Sequence, residues 1–112
     1  MAIEATPNVG TKLLFENERI RVWDLALQPG EYLEKHIHRE EFLFIVVEGG
    51  SLRHIDPENS ANDRAVEFEN DLVVHHQPDK NSAEGGTIHH RLVNVGDKPY
   101  RNYVIEIKSE KE

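Results

Sequence analysis

The 112-residue sequence has no cysteine, one tryptophan and one methionine, and only 7% of its residues are aromatic. Without cysteine there can be no disulfide and no thiolate nucleophile or ligand, and composition carries no mark of a redox compartment. Positive charge is scarce. Thirteen Lys and Arg stand against 21 Asp and Glu, a net charge of -8 with histidine neutral. An acidic surface repels a phosphate backbone, so nucleic acid is not an expected partner. No apolar run approaches the length of a membrane span, and the opening M-A-I-E-A-T-P-N lacks the basic and apolar regions of a secretory leader. A cytoplasmic protein with no membrane partner is the expectation, organised as one domain over residues 1–112.

Helical periodicity is missing from every long segment. Short β-rich runs recur instead, each followed by turn residues: T-K-L-L-F (11–15), I-R-V-W-D-L-A-L (20–27), the polar Y-L-E-K-H-I-H (32–38), F-L-F-I-V-V (42–47), S-L-R-H-I (51–55), A-V-E-F (65–68), L-V-V-H-H (72–76), T-I-H-H-R-L-V-N-V (87–95) and Y-R-N-Y-V-I-E-I-K (100–108). Eight or nine short strands separated by turns point to an all-β sandwich or barrel over about residues 11–108, with a polar tail at 109–112. Q-P-G-E (28–31) carries Pro then Gly, the pair that a type II turn requires. Gly30, Gly49 and Gly86 read as turn positions needing positive φ. Trp23, Phe42, Phe44 and Phe68 read as core, and Phe42 and Phe44 share one strand face.

What the chain has in quantity is histidine. There are seven, grouped at 36/38, 75/76 and 89/90 with His54 apart, and His54 reads as a surface or interface residue. His36 and His38 lie two apart, so on a strand both imidazoles project to one side, which is half of a histidine-type metal site. Alternating histidines also occur on exposed strands, so the pair does not decide the matter by itself. His89 and His90 are adjacent and face opposite sides, so one of them at most can join the first pair. His90 and Asn94, four apart, would share a face. His75 and His76 close a strand before the longest loop, Q-P-D-K-N-S-A-E-G-G (77–86). They are either exposed strand-end residues or a substrate contact near the barrel mouth.

Gly30, His36, His38 and Gly49 resemble the first motif of the cupin family: a Gly, five residues, His-x-His, and a Gly closing the next strand. The Gly-rich turn before His90, with Asn94 four positions on, is similar to the second motif. The resemblance spans roughly residues 20 to 107, and is to small cupins of the cupin-2 or β-alanine-degradation-like kind. It implies a jelly-roll β-barrel (a double-stranded β-helix) holding a divalent transition metal, Fe, Ni, Zn or Mn, and a homodimer in which T-K-L-L-F is the candidate pairing strand. His36, His38 and His90 are then the metal ligands, with His89 the alternative to His90 through a one-residue register slip.

The sequence departs from the motif at one position. The motif's Glu, four residues after the second His, is Phe42 here, and Glu41 stands one residue early. If Phe42 faces inward, alternation turns Glu41 outward unless a bend at R-E-E rotates it back. Three imidazoles leave coordination positions open to water, dioxygen or a chelating substrate. Imidazole favours Zn, Fe, Ni or Cu over Mg or Ca. The implied activity is oxygenation, isomerisation or decarboxylation of a small carboxylate or other oxygenated small-molecule ligand, with Glu41 or His76 as the catalytic proton carrier. The alternative is a non-catalytic cupin that binds a small molecule or a metal as an accessory or sensor.

Overall fold

Every second residue from Tyr100 is buried: Tyr100, Asn102, Val104 and Glu106. That period is the signature of a strand with one face on a core. In the computed structural model this segment is β11 (Tyr100–Ile107), the middle strand of the larger sheet. Residues 8–56, 60–78, 81, 83, 85–89 and 91–109 are described.

The larger sheet also contains β1 (Lys12–Glu16), β2 (Ile20–Leu27), β5 (Glu41–Glu48) and β8 (Val73–His76), in the order β1-β2-β11-β5-β8. A second sheet is formed by β3 (Tyr32–Leu33), β10 (Arg91–Asn94), β6 (Gly50–Ile55) and β7 (Arg64–Phe68), in the order β3-β10-β6-β7. A two-stranded ribbon joins β4 (His36–His38) to β9 (Thr87–His89). All the pairings are antiparallel. Apart from these eleven strands, a short 3-10 turn at Ser60–Asn62 is the one helical element among the described residues. No helix among them is long and apolar enough to cross a membrane.

The register explains the two faces of the larger sheet. One row runs Trp23, Val104, Phe44, Val74 and the next Arg21, Glu106, Phe42, His76, both on the inner side. The intervening row, Val22, Ile105, Leu43, His75, lies on the outer side. Leu25, Leu27, Leu33, Val46, Leu52, Leu92 and Tyr100 form one buried cluster, and Val9, Trp23, Phe42 and Val104 a second, with Phe44 packed against both. Each such large apolar side chain contributes about 1.5–3 kcal/mol when fully removed from water. Trp23, Phe42, Phe44 and Phe68 are all part of this core or packed on it, as their sequence context implies.

Glu106 is 3% exposed in this interior, yet well paired: it accepts from Trp23 Nε1 at 2.6 Å and from the Arg21 guanidinium at 3.2 Å. A buried carboxylate is tolerated only with such donors.

Two expected strands are each two strands. The 32–38 run divides because Leu33 pairs with Leu92 of β10 while His36 pairs with His89 of β9, so the two ends serve different sheets. The 87–95 run divides for the same reason. The expected type II turn is present: Glu31 N donates to Gln28 O at 2.9 Å, and Gly30 has φ +85°. Gly49 and Gly86 do not have positive φ and are required for space instead. A Cβ at Gly49 would sit 2.1 Å from the Phe68 carbonyl oxygen, and one at Gly86 2.4 Å from that of His38. Gly86 therefore lets its segment lie directly against the His-x-His strand.

Candidate metal and ligand site

His36 and His38 are 3% and 4% exposed, and their ring centroids are 4.9 Å apart at an interplanar angle of 75°. Both line a cavity of about 80 Å³ between the sheets, with Phe42, Phe44, Phe68, Leu25, Leu92 and Val104 supplying apolar walls. The Phe42 ring stacks on His38 at 3.8 Å and 18°, which fixes the imidazole plane. His36 Nδ1 lies 3.0 Å from the Glu34 carbonyl oxygen. A carbonyl only accepts, so Nδ1 carries the hydrogen and Nε2 holds the lone pair in the neutral ring. A backbone carbonyl fixing the tautomer is the usual outer support of a metal-ligating histidine.

Burial pushes His36 below the ordinary imidazole value of 6.5, outweighing the opposing effect of the Glu34 carbonyl. The ring is thus kept neutral, the form that binds metals. This depression has a consequence for folding. Between the native value and 6.5 the unfolded chain binds more protons than the native one, so stability of the metal-free protein falls as pH drops below about 6.5. Urea midpoints at about pH 7.5 and about pH 5.5 should show this decline, and His36→Gln should reduce it. An equal decline in both proteins would assign it to other groups.

His90 lies outside the described residues. The chain just before it is β9, whose His89 pairs with His36 in the ribbon. Among the described residues no three His, Asp or Glu side chains are grouped so as to hold a metal ion. The two described imidazoles nevertheless suit one: both are buried in a largely apolar cavity, and the His36 tautomer is fixed through Nδ1.

The carboxylate question has a definite geometric answer. Phe42 is buried on the cavity side, and Glu41 takes the outer face, where its carboxylate meets His75 Nε2 at 2.6 Å. The His75 imidazole, with a smaller contribution from Gln77, holds the Glu41 carboxyl below the usual 4.5. No bend at R-E-E returns Glu41 to the cavity. His76 lies opposite Phe42 in the register, on the inner face, with the two rings 5.2 Å apart.

Asn94 is structural. Its Nδ2 donates to the Leu27 and Lys98 carbonyls, both at 2.8 Å, and its Oδ1 accepts from Gly96 N at 2.9 Å. It ties the end of β2 to the turn before β11.

His54 is a correction. It lines the cavity with His36 and His38 rather than lying at the surface. The signal for it was alternation: Leu52 is fully buried, and residue 54 shares its face. Tyr32 and Tyr103 lie beneath Arg91 and Arg101 at 4.4 and 5.1 Å, and neither lines the cavity. Tyr100 and Asn102 line it instead, on the wall formed by β11.

Two packed antiparallel sheets around a small cavity lined by histidines of β4 and β6 define a jelly-roll barrel. Solved structures place it more closely. A cupin domain protein from Bordetella pertussis matches with a TM-score of 0.70 at 19% identity, covering 96% of this chain and 100% of the other. The Cupin_2 domain of an XRE family transcriptional regulator from Enterobacter cloacae matches at 0.59 and 19%, covering 89% and 95%. A sugar phosphate isomerase of the cupin superfamily from Silicibacter pomeroyi matches at 0.53 and 18%, covering 82% of this chain and 52% of that one. No family model and no curated protein matches the sequence. The chain has the cupin fold.

Proposed function

We propose that this chain is a metal-binding cupin that takes one small oxygenated molecule into its barrel and transforms it. The observation that carries this reading is the buried His36–His38 pair, with the His36 tautomer fixed by Glu34, lining a largely apolar cavity. In this reading His36, His38 and His90 hold the ion. When bound, a divalent Fe, Ni, Zn or Mn would supply Lewis acidity for oxygenation, isomerisation or decarboxylation of a small carboxylate or related molecule. Phe42 and Phe44 exclude water, which strengthens every polar contact inside. His76, on the inner face beside Phe42, is the proton carrier in this reading, because the Glu41 carboxylate is taken up by His75 on the outer face. Metal analysis of untagged protein, joined to turnover and dioxygen uptake against small carboxylates and diketones, tests the reading. Bound metal with turnover supports it, and protein purified without metal that gains no activity on reconstitution rejects it.

One observation favours a non-catalytic binder or sensor instead: the carboxylate nearest the motif position faces away from the cavity. A regulator's cupin domain is among the structures with this fold. Tight ligand binding with no product formed would select that reading.

We also propose that two copies pair through β1. It is an edge strand of the larger sheet, and Leu13, Leu14 and Phe15 on it are 42%, 45% and 51% exposed. An exposed apolar edge is a template for another strand, and a two-fold pairing of identical edges closes on itself. Sedimentation should show a dimer that Leu14→Lys with Phe15→Glu converts to monomer. A monomeric wild type at tens of micromolar, on the order of ordinary assay concentrations, removes the proposal.

A further inference from the structure

Tyr100 and Asn102 lie two apart on β11, so both face the cavity they line. They are 1% and 4% exposed. Asn102 Nδ2 donates to Tyr100 Oη at 2.7 Å. That bond uses one amide hydrogen and one phenol lone pair. Asn102 Oδ1 is buried and has no hydrogen-bond partner among the described residues. The phenol's own hydrogen also remains available there. Burial pushes the Tyr100 phenol up to about 12, so it keeps that hydrogen across the physiological range. A buried acceptor beside a buried donor, both opening on a cavity, calls for a group that can answer each of them.

We propose that Tyr100 and Asn102 form a hydroxyl-binding subsite that selects a small hydroxylated ligand. A hydroxyl can donate to Asn102 Oδ1 and accept from Tyr100 Oη at a single oxygen. A carboxylate at that spot could only accept, and would face the lone pairs of Oδ1. The ligand therefore turns its alcohol toward β11 and leaves its other end for the histidines. The cavity also limits its size. At roughly 30 Å³ for each liquid water, a space of about 80 Å³ suits a hydroxylated molecule of only a few non-hydrogen atoms. The subsite deepens the proposed function and rests on its premise that the cavity admits a ligand, while its chemistry does not depend on which metal is held.

Paired probes test it. Glycolate and acetate differ by one hydroxyl, and their binding to the metal-loaded full chain can be followed by NMR titration. Glycolate should bind about tenfold more tightly, as one added neutral hydrogen-bonding group permits. Asn102→Leu and Tyr100→Phe should each bring the ratio close to one while leaving metal content unchanged. Asn102→Leu replaces an amide whose Oδ1 is unsatisfied with an apolar group of similar shape, so its fold should persist, and a thermal melt verifies that. Equal binding of the two probes by wild type, or a preference that survives both substitutions, overturns the subsite. Absence of binding by either probe overturns it too, and wild-type metal content in that case shows that the histidine site stands without it.

Discussion

His38→Ala is expected to reduce bound metal from about one equivalent to nearly none, because losing a ligand costs more than the roughly 10–100-fold typical of losing an outer-shell support. The Phe42 ring stacks against His38 at 3.8 Å, and His36 lies 4.9 Å away on the same short strand. Alanine removes the imidazole and leaves a void beside Phe42, so stability should also fall, by about 1–3 kcal/mol. Circular dichroism separates the two effects, since a folded variant without metal has lost a ligand rather than a fold. Glu41→Gln is the matched control. Its side chain pairs with His75 on the outer face, so metal content should stay at the wild-type level. Equal metal loss in both variants would place the carboxylate in the shell and contradict the geometry.

The second large effect is expected far from the cavity. Glu106→Ala should cost about 2–4 kcal/mol, the range for breaking a buried, hydrogen-bonded charge pair with one partly exposed partner. Removing the carboxylate leaves Trp23 Nε1 without its 2.6 Å acceptor inside the barrel and Arg21 without its inward partner. Trp23 is the only tryptophan, so its fluorescence reports the event directly. Glu106→Gln keeps an acceptor for the indole and should fall between alanine and wild type. Urea unfolding followed by Trp23 emission gives all three values. A Glu106→Ala midpoint equal to wild type would mean that the buried carboxylate contributes no net stability.

Much of the barrel was legible in the sequence because strand period and turn chemistry are local properties. The runs at 20–27, 42–47 and 100–108 fall on β2, β5 and β11, and Pro29–Gly30 makes the turn its residues require. The outward face of Glu41 followed from the same alternation, once Phe42 was taken as core. What the sequence did not reveal depends on which strands become neighbours. The polar 32–38 run looks continuous, and it divides only because its halves find partners in β10 and β9. Gly49 and Gly86 face backbone carbonyls from distant segments, a constraint with no local signature. The candidate ligands His36 and His38 announced themselves by spacing. His54 was marked only by its alternation with Leu52, and Tyr100 and Asn102 not at all, since single residues acquire meaning only when sheet packing places them on one cavity.

Diffraction from crystals of untagged, metal-loaded protein, measured on both sides of the metal's absorption edge, tests the central claim most directly. One anomalous peak inside the barrel, within bonding distance of Nε2 of His36 and a ring nitrogen of His38, is the predicted result. A peak elsewhere on the molecule, or a fully loaded protein with no peak between these rings, would contradict it.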